Sequence, residues 1–192
     1  MKTLALLASI SLVGACGTPE VVVSEPEPVS LDGWGSETIV LPPEFAPTMP
    51  GGEEQLLFAP GMFDAAAEDY WSYAFVMRLE SGALDAAYLD ELFEAYFDGL
   101  LSSVGAARGE DLGDDPADVR VQRISEGHYE AQVHLIDVFV TMKAIDLLMT
   151  IDAAPAQAGG GLLEIQASPQ EREHAVWRSL EAAVRSIEFS SH

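Results

Sequence analysis

The sequence predicts an α+β domain, an antiparallel sheet of about five strands covered by two helices. Three observations carry that expectation. Apolar and polar residues alternate with a period of two across Tyr70 to Leu79 and from Tyr129 to Ile151. Two other stretches, from Asp85 to about Leu101 and from Ser168 to Ile187, repeat their large apolar residues every three or four positions. The segment holding all of these, 56–192, leaves roughly 135 residues, enough for one hydrophobic core and too few for two.

The chain opens with Met1-Lys2 and eleven mostly apolar residues from Thr3 to Val13, too short a run to cross a bilayer as a mature helix and laid out as a secretory signal. Val13-Gly14-Ala15-Cys16 follows, and Cys16 is the one cysteine of the chain. This resembles the lipobox of bacterial lipoproteins. The resemblance implies cleavage after residue 15, a diacylglyceryl group on the Cys16 sulfur and acylation of the new amino group, which together anchor a chain stably where one acyl chain would not. In that family an aspartate directly after the cysteine often retains the protein in the inner membrane. Gly17 departs from that signal, so the expected location is the bacterial cell envelope, at the outer rather than the inner membrane.

Seven of the eleven prolines, with Glu20, Glu25, Glu27, Asp32, Glu37, Glu44, Glu53 and Glu54, fall between Gly17 and Gln55. A segment so rich in proline and charge recovers little ordering entropy by burial, so 16–55 reads as the lipidated cysteine followed by an acidic tether. Trp34 and Thr38 to Leu41 form a small apolar patch within it, either docked as an edge strand or part of an exposed spacer. The chain carries 32 acidic and 9 basic side chains, a net charge of −23. A field of that sign repels phosphate backbones and argues against nucleic acid as a partner. Anionic lipid surfaces are disfavoured too, so membrane attachment is expected from acylated Cys16 rather than from charge.

Within the domain, Phe58-Ala59-Pro60-Gly61 is a turn signal, and Met62 to Glu68 a helical turn or an irregular lead-in. Trp71, Tyr73, Phe75, Met77 and Leu79 then form one row of a core strand. Asp85 is the expected cap of the first helix, whose Asp90, Glu91, Glu94 and Asp98 fall on the side away from its apolar stripe, as a solvated face. Val119 to Ser125 is a strand turned through Glu126-Gly127-His128 into a long hairpin, Tyr129 to Phe139 and then Ile145 to Ile151. Leu162 to Ala167 is a further strand. Ser168-Pro169-Gln170-Glu171 has the pattern of a capped helix start, and Val176, Trp177, Leu180, Ala183, Val184 and Ile187 face the sheet. Both helices are expected on one face of that sheet.

Candidate chemistry is sparse. Asp137 shares the inward row of Tyr129, Val133, Leu135 and Phe139, where a carboxylate needs Lys143, a backbone donor or the mouth of a pocket beside it. With Trp71 and Tyr73 it marks the possible pocket. The run Glu110-Asp111-Leu112-Gly113-Asp114-Asp115 clusters oxygen ligands for calcium but lacks the spaced pattern of a calcium loop. His128, His134 and His174 come from a turn, a strand and a helix, a poor basis for a zinc site. No G-x-S-x-G, H-E-x-x-H or strand-to-helix glycine loop occurs, so no catalytic residue, metal or cofactor is assigned.

Tyr129 to Trp177, with D-x-F-x-T at Asp137 and A-S-P-Q before the last helix, resembles a group of uncharacterised bacterial exported proteins, and its element order is similar to that of PsbP-like domains. The resemblance implies a non-catalytic role. The expected function is thus that of a lipid-anchored envelope protein with an interaction or envelope-maintenance role, its expected partner an envelope protein. The alternative is a small-molecule or lipid-binding module or hydrolase with its pocket near Trp71, Tyr73 and Asp137.

Overall fold

The computed structural model describes residues 29–113, 116–156 and 159–189. The signal segment, Cys16 and the first part of the tether lie outside the described residues, as do Asp114 and Asp115 of the acidic loop.

The domain is α+β, as expected, but its antiparallel sheet has seven strands rather than about five. They are β1 (Gly35–Leu41), β2 (Gly52–Phe58), β3 (Tyr73–Leu79), β4 (Ala117–Ser125), β5 (His128–Ile136), β6 (Ala144–Pro155) and β7 (Gly161–Ser168), in the order β1-β2-β3-β7-β6-β5-β4. Helix α1 (Ala86–Ala107) carries the chain from β3 to the far edge at β4, and the meander β4 to β7 returns to close on β3. The two additional strands come from the segment read as tether. The apolar patch at 38–41 docks as edge strand β1, pairing with β2 from Gly35↔Phe58 to Leu41↔Gly52. The sheet therefore begins at Gly35, well before the expected domain start at residue 56.

The helices lie on opposite faces of the sheet, a correction with a visible cause in β3. One row of that strand, Tyr73, Phe75, Met77 and Leu79, packs in the main core with Leu89, Phe93, Tyr96 and Phe97 of α1. The other row, Ala74 and Val76, is also apolar and also buried, against Trp177, Leu180 and Val184 of α2 (Val176–Ser186). A strand apolar on both rows calls for cover on both faces. Strand β5, by contrast, alternates exposed and buried residues from His128 to Leu135, because α2 does not reach it.

Asp85 caps α1 as expected, its Oδ1 accepting from the Tyr88 N–H at 2.9 Å. Ser168 does not cap α2. It ends β7, where its buried hydroxyl pairs with that of Ser72 at 2.8 Å and accepts from the Gln170 N–H at 3.2 Å, so the helix starts only at Val176. Gly99 lets the β1–β2 connection lie on α1, since a Cβ there would sit 2.0 Å from the Phe45 carbonyl oxygen.

Three carboxylates read as a solvated helix face have another task. Asp98, Glu94 and Asp90 accept from the backbone N–H groups of Ala117, Val119 and Val121 at 3.0, 2.9 and 2.8 Å. Those donors lie on the outer edge of β4, so the i, i+4, i+8 row of α1 blocks the strand from pairing with another chain. Burial raises the Glu94 pKa, as do the neighbouring charges of Asp98, Asp118 and Asp90, while the Val119 N–H lowers it. Replacing all three acids by alanine is expected to cost about 1 kcal/mol per lost bond and to expose the edge. Sedimentation velocity should then show larger species, whereas the Asp90→Asn, Glu94→Gln, Asp98→Asn chain keeps its acceptors and sediments as wild type. A triple-alanine chain that sediments unchanged contradicts this role for the acids.

Candidate functional site

The expected inward row holds for Tyr129, Ala131, Val133 and Leu135, but β5 ends at Ile136, and Asp137 opens a turn instead of continuing the strand. The turn closes through Asp137 N–H to the Lys143 carbonyl and Met142 N–H to the Asp137 carbonyl, each at 2.8 Å. Inside it the buried carboxylate is fully engaged. Oδ1 accepts from Trp71 Nε1 at 2.9 Å and from the Phe139 and Val140 N–H groups at 3.0 Å each. Oδ2 accepts from the Tyr70 hydroxyl and, at 2.6 Å each, from the Thr141 N–H and Oγ1. Burial opposes ionisation, yet the bonds from Thr141, Tyr70 and Trp71 outweigh it and hold the carboxyl down at about 2. Its partners are thus backbone and side-chain donors; Lys143 contributes only its carbonyl.

Two residues here lie in the left-handed region that side chains rarely adopt: Trp71 at φ 51, whose indole the carboxylate holds, and Met142 at φ 55, whose N–H the Asp137 backbone carbonyl holds. At Trp71 the consequence is functional geometry. The strand cannot extend through this residue, so β3 starts at Tyr73, and the Trp71 indole is turned so that its N–H meets Asp137 while its ring lines a cleft.

The cleft has a volume of about 420 Å³. Ile39 of β1, Leu56 and Phe58 of β2, Tyr73 of β3, and Tyr96 and Leu100 of α1 form its walls, joined by Phe45, Met62, Phe63, Trp71 and Phe139 from the connections. The rings interlock. Trp71 and Phe139 have centroids 5.4 Å apart, Trp71 and Tyr73 6.4 Å, and Phe45 meets Tyr96 edge-on at 5.5 Å. Phe63 remains 55% exposed, which places it at the mouth. Glu37 is the one carboxylate of the lining, which holds no lysine, arginine or histidine, and it is exposed. Size and apolar lining both match sites for small organic ligands.

Behind Tyr96 stands a second carboxyl. Glu54 is fully buried in β2, pairs in register with Met77 of β3, and accepts from the Tyr96 hydroxyl at 3.1 Å through Oε1. Its Oε2 has no hydrogen-bond partner. Burial pushes its pKa up to about 8, the Tyr96 hydroxyl opposes this, and the charge of Glu37 adds to it. At neutral pH the carboxyl is therefore mostly protonated.

Of the sequence-predicted pocket residues, Trp71 and Tyr73 line the cleft and Asp137 does not; it stands behind Trp71 and positions it. The contributions of Glu37 and Phe45, and the buried Glu54, are hidden in the sequence because 16–55 reads as tether, and that of Phe58 because it reads as the start of a turn. The histidines do not converge: His128 pairs with Asp152, and His134 with Asp146 at 2.7 Å. Among the described residues no group of three or more potential ligands could hold a metal ion, and no helix is long and apolar enough to cross a membrane. A groove of similar volume between α2 and β6–β7 is lined by charges of both signs, including Asp152, Glu164, Arg172 and Arg178. No family model matches this sequence, and no curated protein and no solved structure matches it.

Proposed function

We propose that this chain is a lipid-anchored bacterial envelope module that binds an apolar small molecule in its aromatic cleft. The observation that carries the reading is the cleft itself, about 420 Å³ lined almost throughout by aromatic and aliphatic side chains. A pure interaction role would draw support from a contiguous apolar surface patch, but the exposed large apolar residues among those described are scattered, with Val40 on edge strand β1, Ile124 on the opposite edge strand β4 and Val29, Phe63 and Val140 outside the strands. Asp137 spends both oxygens on six hydrogen bonds, so binding is favoured over hydrolysis at this place. Anchoring rests on the lipobox at Cys16, with the outer membrane as the proposed location; the segment between Cys16 and Leu31, where the chain first packs on the domain, then serves as the tether.

The test uses the full chain carrying Cys16→Ser, which needs no detergent to compete for the cleft. Titration with phenylnaphthylamine, a neutral apolar dye that brightens when removed from water, should saturate at one site per chain. Ile39→Trp, which fills the cleft from a partly exposed edge-strand position, should weaken binding roughly tenfold or more while leaving the circular dichroism unchanged. Absence of saturable binding, or equal affinity in Ile39→Trp, overturns the proposal. For the anchor, a palmitate analogue should label wild type and not Cys16→Ser; equal labelling overturns it.

A further inference from the structure

Resting on the cleft as a ligand site, we propose that it selects an amphiphile with a cationic head, an amine or quaternary ammonium, over one of the same tail bearing a carboxylate or phosphate. The lining is the first ground. Its one carboxylate is Glu37, exposed on β1, where a head group would sit once the tail lies among the rings, and it holds no lysine, arginine or histidine. The second ground is the aromatic lining. Trp71, Tyr73 and Tyr96 line the cleft, and aromatic π systems favour a cation over an anion.

Behind Tyr96 the fully buried Glu54 brings no cation to that wall, so an anion in the cleft faces Glu37 and the aromatic rings with nothing to offset them. Neighbouring cations do not alter the balance. Arg108 donates to the Phe139 carbonyl at 2.6 Å and is absent from the lining, and Arg78 is held by Glu53 at 3.2 Å and stacks over Phe189.

The experiment is competition against phenylnaphthylamine, in the full chain carrying Cys16→Ser, by octyltrimethylammonium, octanol and octanoate. Salt of about 150 mM screens the net charge of the whole molecule. Octyltrimethylammonium should displace the dye at a concentration roughly tenfold or more below that of octanoate, with octanol between them. Glu37→Gln should narrow that gap, whereas Glu173→Gln, which removes an exposed acid beside α2, should not. Octanoate displacing as well as the cation, no displacement by any of the three, or an equal narrowing by Glu37→Gln and Glu173→Gln overturns the charge preference while leaving the cleft. Failure of phenylnaphthylamine itself to bind overturns the cleft, and the preference with it.

Discussion

Asp137→Ala should lower the free energy of unfolding by about 4 kcal/mol, which urea denaturation followed by circular dichroism will measure. The size follows from what is left behind. Removing the carboxylate strands the buried Trp71 indole N–H, the Tyr70 hydroxyl and the donors of Phe139, Val140 and Thr141. Asp137→Asn keeps the shape but turns an NH₂ toward donors, so a loss of about half that size is expected. The pH dependence has a definite sign. The carboxyl is held at about 2 against an ordinary 3.8, so its stabilisation is fully present above about pH 4 and fades as the pH falls toward 2. An alanine variant with an unchanged denaturation midpoint contradicts the assigned role.

Glu54→Gln should act in the opposite direction. With its pKa raised from 4.5 to about 8, the folded chain keeps a proton that the unfolded chain releases. Stability therefore declines as the pH rises above about 4.5, by roughly 1.4 kcal/mol per unit, and levels off above about 8. Glutamine cannot ionise. The variant should be more stable than wild type by about 2–4 kcal/mol at pH 8 and within about 1 kcal/mol of it at pH 5. Parallel urea curves at the two pH values decide the matter, and equal slopes with pH in both chains would count against a buried, protonated Glu54. With Asp137 lost at low pH and Glu54 ionising at higher pH, these two groups alone place greatest stability near pH 4 to 5.

The parts of this fold legible in the sequence are those whose polarity pattern is unbroken. From Ala117 to Ser168 each strand alternates, and the meander was read with bounds a few residues from those observed. Strand β2 escaped because Gly-Glu-Glu-Gln-Leu-Leu-Phe puts an acid at an inward position; Glu54 looks like tether and is a core residue. The end of β5 was misplaced because Phe139 continues the alternation past Asp137, although Asp137 had already turned the backbone. The acids of α1 looked solvated because nothing local to the helix reveals that β4 runs beside them. At the cleft, Trp71 and Tyr73 were visible as aromatics on one row. Their neighbours Phe45, Tyr96 and Phe139 come from a loop, a helix and a turn, and only the tertiary fold assembles them.

The central claim is that Trp71, set by Asp137, forms one wall of a ligand cleft. Its most direct test is the indole N–H resonances of the full chain carrying Cys16→Ser as phenylnaphthylamine is added. Trp177 is an internal control, since its indole donates to the Gln170 and Glu171 carbonyls on the opposite face of the sheet. The account predicts that the Trp71 resonance shifts with the same saturation curve as the dye and that Trp177 stays in place. A saturating titration that moves Trp177 and leaves Trp71 unmoved would contradict it.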